Sequence, residues 1–261
     1  MDRNETGPTV TLDVSGGVAI VTLNRPGRRN ALDAPMVDAI GAAFDAAEAD
    51  ASVRAIVVAG AGGAFCAGAV LDTLLASAEG EFAEVAHVYD GFLRVLRSPL
   101  PTIAAIDGAA VGAGLNLALA CDVRIASRRA RFDSRFPALR LHPGGGHTWL
   151  LGRAVGRQRA TLMALFGETL DADAALAAGL VAEIHPSEDL SGAAFHLAAR
   201  LAEMDRPLVE RMIDSLRAAE QTLSHAEMLE LETERQRWST HQEDFVRRTV
   251  ELRDRISRGR S

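Results

Sequence analysis

The sequence predicts an α/β fold. Three observations carry that reading: short apolar runs alternating with segments of helical periodicity, glycine-rich loops where those runs end, and an almost continuous helical pattern from residue 188 onward. Residues 9–14 and 18–23 alternate apolar and polar about Gly16-Gly17 and read as a β-hairpin. A Pro/Gly turn, "LNRPGRRNALD", follows with Arg25, Arg28 and Arg29, and then helical periodicity over 35–49. "RAIVVAG" (54–60) and "PTIAAIDG" (101–108) are continuous apolar runs closed by glycine, as expected of buried parallel strands. Residues 78–97 read as mostly helical, "DVRIAS" (122–127) as a third buried strand and "ARFDS" as a short fourth. Helices are expected over 147–165 and 171–179, with a strand over 181–184 between the latter and the helical last third.

Composition narrows the function classes. A chain of 261 residues with 48% apolar and 24% charged residues is long enough for a large buried core. The apolar runs are interrupted well before membrane-spanning length, so no membrane span is expected, and the polar N-terminus lacks the apolar centre of a secretion signal. The net charge of −7 argues against nucleic acid as a partner. The two cysteines, Cys66 and Cys121, have no CxxC or His cluster near them, so no metal site is expected and reduced thiols in a cytoplasm fit best.

Two units share one local design. A buried strand ends in a loop of small residues, Ala67-Gly68-Ala69 in one unit and Gly112-Ala113-Gly114 in the other, and a helix begins. The first N–H groups of a helix have no internal partner, and small residues let a ligand come close to them. Two such N–H groups on one oxygen would make an oxyanion hole. Tight turns and close helix–sheet packing would use the same glycines.

"LNRPGRRNALD", "VVAGAGGAFCAGAVL", "PTIAAIDGAAVGAGLNLALACDVRIAS" and "GLVAEIHP" together resemble the crotonase (enoyl-CoA hydratase/isomerase) superfamily from about residue 10 to the end. The resemblance implies a crotonase-like ββα spiral that binds an acyl-CoA over residues 1–190, and a C-terminal helical region over 191–261 that builds homotrimers or hexamers. It implies a lyase or isomerase acting on a coenzyme A thioester, with coenzyme A entering as part of the substrate and no permanently bound cofactor. It places the thioester oxygen between the N–H groups of Ala69 and Ala113, with Ala67, Gly68 and Gly112 in the flanking loops. It sets Arg25 and Arg28 beside the nucleotide part, where guanidinium suits phosphate.

The same resemblance implies two catalytic glutamates, and this sequence has neither. Asn116 and Phe136 stand at those positions, Val70 stands where an acid commonly follows "AGA", and Asp72 comes two residues later. Asparagine orients water but does not titrate near neutral pH, and phenylalanine moves no proton. Ordinary hydration is therefore doubtful. His142 is the leading substitute as a proton donor, since histidine is a competent one near neutral pH. Asp133 and Ser134 stand where relatives carry Gly and Gln, Glu79, Glu81, Glu84, His87 and Tyr89 fall in the segment that lids the acyl pocket in relatives, and His147 is expected to help start the helix after the Pro-Gly-Gly-Gly turn. The alternatives are a fatty acyl-CoA binding protein without chemistry, and a decarboxylase of a malonyl-type thioester in which Arg135 or Arg140 holds the carboxylate.

Overall fold

The computed structural model describes residues 7–78, 80, 82–220 and 224–258, so Glu79 and Glu81 lie outside the described residues. The chain forms two compact units, Met1–Ala202 and Glu203–Ser261. In the first, β1 (Val10–Ser15) and β2 (Val18–Leu23) pair antiparallel as a hairpin whose turn is Gly16-Gly17, both at positive φ. Parallel strands then extend the sheet: β3 (Ala55–Gly60), β4 (Thr102–Ile106), β6 (Val123–Ser127) and β9 (Glu183–His185), in the order β1-β2-β3-β4-β6-β9.

The continuous apolar runs are explained by burial on both faces. Ile56, Val58, Ala104, Ile106 and Ala126 join the main core, which includes Met36, Ile40 and Phe44 of α1 (Ala34–Ala49). The alternate residues Ala55, Val57, Ile103, Ala105 and Ile125 pack on Leu190, Ala194 and Ala198 of α7 (Leu190–Ala199). An expected division after residue 190 falls after the first residue of α7, and α7 packs on the sheet of the first unit. The chain also forms α2 (Leu71–Ala78), α3 (Phe82–Leu96), α4 (Ala113–Ala120), α5 (His147–Ala164) and α6 (Ala172–Ala177).

A second sheet, of three short strands, was legible in the sequence only at its middle strand, over "ARFDS". It comprises β5 (Ala109–Val111), β7 (Arg131–Asp133) and β8 (Leu170–Asp171) in the order β5-β7-β8. Two or three residues carry no period, and "AAV" has no strand signature by itself. The sheet stands because β5 pairs in parallel with β7, and Ala110 forms a further parallel bridge to Cys66.

The second unit is helical: α8 (Arg206–Ala219), α9 (His225–Thr240) and α10 (Glu243–Arg258). Ser224 and Glu227 form a capping box at the start of α9. Arg211 stacks on Trp238 at 3.9 Å from the ring centre, and Arg235 donates to Asp214. Leu216, Leu229, Phe245, Val246, Val250, Leu252 and Ile256 are exposed on this unit.

The arginine turn after β2 is a clamp. Arg25 is buried; its guanidinium donates to both carboxylate oxygens of Asp33, at 2.6 and 2.7 Å, and to the carbonyl of Ala31. Asp33 in turn caps α1 by accepting from the Met36 N–H at 3.1 Å. The expected phosphate contact for Arg25 is thereby corrected: its fork is occupied inside the fold. Arg28 is exposed on the same turn.

Asn30 is fully buried in a left-handed conformation (φ 56°), which asparagine tolerates better than most residues. Its amide Nδ2 donates to the carbonyls of Ala61, Ala64 and Phe65, and its Oδ1 accepts from the Arg25 N–H at 2.9 Å. It therefore ties the turn to the loop after β3. Asn30→Ala leaves several of these groups unpaired in the interior. It should lower the unfolding free energy by roughly 2–4 kcal/mol in denaturant titration.

Candidate active site

The loop after β3 is threaded between two partners. Ala67 N–H donates to the Arg29 carbonyl and Val70 N–H to the Leu32 carbonyl, while Leu32 N–H donates to the Gly68 carbonyl. This is a parallel bridge between Leu32 and Ala69, so the N–H of Ala69 itself points to the opposite side. On its other flank the loop holds β5: Cys66 N–H donates to the Ala109 carbonyl, and Val111 N–H to the Cys66 carbonyl. Burial pushes the Cys66 thiol up to about 12, so it is a neutral packing group.

The second N–H comes from α4. Gly112 turns the chain at φ 53° and donates to the Asp133 carbonyl at 2.9 Å, and α4 starts at Ala113. Neither Ala69 N–H nor Ala113 N–H has a hydrogen-bond partner among the described residues. The loops meet closely. A Cβ on Gly68 would lie 3.5 Å from the Ala113 nitrogen, and one on Gly114 would lie 2.2 Å from the Cys66 carbonyl oxygen. Glycine is required at both positions for that approach. Two bare donors at the mouth of α4, at the positive end of its dipole, suit a developing oxyanion.

These loops open into a cavity of about 370 Å³. Ala67, Gly68, Ala69, Gly112, Ala113 and Asn116 form its polar floor. Leu71, Leu74, Phe82, Val85, Val88, Phe136, Leu139 and Leu141 give it an apolar wall. Among the described residues no Asp or Glu lines it. Asp72 and Glu84 are exposed outside it, and His87 is bonded to Asp38 and Asp90 at 3.1 Å each. Asp133 is paired with Arg135, whose N–H and guanidinium each reach it at 2.6 Å. Of the other expected residues, Tyr89, Ser134, Arg135 and His142 line the cavity. His142 is exposed at the rim, and its Nδ1 lies 2.8 Å from the Pro143 carbonyl.

The residue that sequence reasoning undervalued is His147. Its place at the start of α5 was legible, but its contacts were not. It is buried, with Nδ1 2.7 Å from Asn116 Oδ1 and Nε2 2.9 Å from Ser134 Oγ. The proton positions follow from the partners. Asn116 Nδ2 donates to the Gly144 carbonyl at 3.2 Å, so its Oδ1 faces the ring as an acceptor. The Nδ1 of His147 therefore carries the proton, and Nε2 accepts from the Ser134 hydroxyl. Phe136 packs edge-on against the ring with centroids 4.9 Å apart. The Pro143-Gly-Gly-Gly turn that delivers His147 sits hard against α3, since a Cβ on Gly144 would lie 2.2 Å from the Tyr89 hydroxyl. The signal available in the sequence was the pairing of Asn116 with a histidine at the start of a helix after a triple-glycine turn.

Fold and site together define an α/β protein that presents two unpaired backbone donors at the base of an apolar cavity, as an acyl-thioester site requires. The family model described as Enoyl-CoA hydratase/isomerase matches residues 13–252, and the chain belongs to that family, within the crotonase superfamily. It is 50% identical over 211 residues to a probable enoyl-CoA hydratase of Mycobacterium tuberculosis, covering 80% of this chain and 81% of that protein. It is 35% identical to the 1,2-epoxyphenylacetyl-CoA isomerase of Escherichia coli, covering 89% and 90%. Among solved structures, an enoyl-CoA hydratase of Bacillus anthracis superposes with a TM-score of 0.89 at 27% identity, covering 95% of this chain and 96% of that one. Among the described residues, no helix is long and apolar enough to cross a membrane, and no group of three or more His, Cys, Asp or Glu is placed to hold a metal.

Burial lowers His147 from 6.5 to about 4, so its ring is neutral in the fold near pH 7. As pH falls below 6.5 the unfolded chain takes up a proton here, while the folded chain does so only near 4. Stability is then lost as pH falls through that window, by an amount on the order of 3 kcal/mol. His147→Gln should flatten the acid limb of a stability–pH profile between those values, measured by denaturant unfolding.

Proposed function

We propose that this protein polarises an acyl-CoA thioester between the N–H groups of Ala69 and Ala113 and does not run hydration through a pair of carboxylates. The observation that carries this reading is the cavity wall: two bare donors at its base and, among the described residues, no Asp or Glu around it. Asn116 and Phe136 occupy the positions where the family resemblance expects glutamates. Each acid/base group typically contributes about 10²–10⁴-fold, so a site without both keeps the oxyanion stabilisation and loses most of the hydration rate. Arg28, exposed on the turn after β2, is the remaining arginine candidate for the nucleotide phosphates. The apolar residues exposed on α10 support assembly of the chain into trimers or hexamers.

A second reading is favoured by one observation: Arg135 and His142 both line the cavity. Decarboxylation of a malonyl-type thioester forms the enolate without a base, and His142 would then return the proton at the α-carbon. Arg135 would hold the carboxylate only by exchanging its Asp133 partner for it. The apolar wall with Phe136 also suits acyl-CoA binding without turnover.

The test is a mass-detected turnover assay with crotonyl-CoA, a long-chain enoyl-CoA and methylmalonyl-CoA, with binding followed in parallel. Hydration of crotonyl-CoA should be slower than that of a two-glutamate hydratase by roughly 10⁴-fold or more. Hydration at the rate of such an enzyme would overturn the reading. Decarboxylation that His142→Ala abolishes while sparing binding would establish the second. Gly114→Ala must push the Cys66 carbonyl away from α4 and separate the two donors. It should weaken binding of an unreactive acyl-CoA analogue at least tenfold while cooperative unfolding persists.

A further inference from the structure

We propose that Ser134, His147 and Asn116 form a nucleophilic triad and that this protein hydrolyses acyl-CoA thioesters through an acyl-serine intermediate. The inference rests on the reading of the cavity as an acyl-CoA site with its carbonyl in the Ala69–Ala113 hole. It goes beyond that reading in naming the reaction.

The three side chains are joined in one line, Ser134 Oγ to His147 Nε2 at 2.9 Å and His147 Nδ1 to Asn116 Oδ1 at 2.7 Å. Among the described residues, one end of this line is anchored to the backbone, through Asn116 Nδ2 and the Gly144 carbonyl. That anchor fixes the amide, the amide fixes the imidazole tautomer, and the tautomer leaves Nε2 facing the hydroxyl as an acceptor. A nucleophile bonded to a base, and the base oriented by a third group, is the arrangement that activates a serine. Ser134 and Asn116 line the cavity, while His147 is buried behind them.

The serine is also in register with the hole. β5 and β7 pair Val111 with Asp133, and Gly112 N–H donates to the Asp133 carbonyl. Ser134 follows Asp133, and the donor residue Ala113 follows Gly112, so nucleophile and donor leave adjacent strand ends together. A Cβ on Gly112 would lie 3.8 Å from the Ser134 carbonyl oxygen. Directly after Ser134 the chain turns through Arg135 in the left-handed region, at φ 61°, with Asp133 accepting the Arg135 N–H. Non-glycine residues adopt that conformation rarely, and sites of chemistry are where it is often retained.

In the first step the Ser134 oxygen bonds to the thioester carbonyl carbon and its proton passes to His147 Nε2. The oxyanion lies between the Ala69 and Ala113 N–H groups. The carbon–sulfur bond then breaks, and the thiolate takes the proton from His147 and leaves as free coenzyme A. In the second step a water molecule adds to the acyl-serine ester, giving its proton to His147. The ester bond breaks, the proton returns to the Ser134 oxygen, and a carboxylic acid is released. One water is consumed, and no oxidant or reductant is needed.

The experiment uses the full chain with butyryl-, octanoyl- and phenylacetyl-CoA. Free thiol is followed with a thiol reagent, intact mass is read after acid quench, and binding of a thioether analogue that cannot be cleaved is titrated separately. The expected result is release of free coenzyme A, an adduct of acyl mass mapped to the Ser134 peptide, and loss of thiol release by at least 100-fold in Ser134→Ala. Ser134→Cys keeps a nucleophile in place and should still acquire the acyl mass, which guards against a fold defect in the alanine variant. Analogue binding without thiol release from any of the three thioesters would overturn the triad while leaving the acyl-CoA reading intact. So would thiol release in Ser134→Ala at the unsubstituted rate. Absence of analogue binding would overturn the acyl-CoA reading and the triad with it.

Discussion

The close approach of the Cys66–Val70 loop to the first turn of α4 is the constraint on which the rest of the site depends. It is made by backbone: the bridges from Ala69 to Leu32 and from Cys66 to Ala110, with Gly114 under the Cys66 carbonyl. Although both flanks of the loop are hydrogen-bonded, the Ala69 N–H has no hydrogen-bond partner among the described residues. Because α4 begins at Ala113, the same holds for that N–H. The buried Asn30 and the Arg25–Asp33 pair hold the turn that supplies the Leu32 side of this arrangement. The positions of these residues near the start of the chain thus serve the site indirectly, through the geometry of a loop far along the sequence.

Around those donors the chemistry is unusually short of acid. The cavity has an apolar wall, and two of its polar side chains, Ser134 and Asn116, are joined through the buried His147 in one hydrogen-bonded line. Burial keeps the imidazole neutral, which is consistent with an acceptor at Nε2. Asn116 accordingly acts on a histidine. The same asparagine, read against the glutamate expected by family resemblance, looks only like a loss. Phe136 gains a role in the same way, as the ring that packs on His147.

The large sheet was legible because its strands are buried on both faces and read as uninterrupted apolar runs. The hairpin was legible from its Gly-Gly turn, and the helical last part from its period. The two loops of the candidate site were legible because small residues recur at the ends of two such strands, and the resemblance supplied the expectation that Ala69 and Ala113 face one oxygen. Of the second sheet only β7 was legible; β5 and β8 were hidden, since strands of two or three residues have no periodicity and exist only through pairing. Arg25 was misread for a related reason: a guanidinium in a turn looks solvated until Asp33 and the Ala31 carbonyl are seen to surround it. His147 lies 31 residues from Asn116 and 13 from Ser134, and only the fold brings the three together.

Polarisation of a thioester carbonyl by the Ala69 and Ala113 N–H groups is the central claim, and isotope-edited infrared spectroscopy of bound acyl-CoA carrying a ¹³C carbonyl tests it most directly. Two hydrogen bonds from fixed donors weaken the carbonyl bond, so the account predicts a stretch at clearly lower wavenumber in the complex than in water. A bound carbonyl at or above its wavenumber in water would contradict it, because the oxygen would then lie outside the hole.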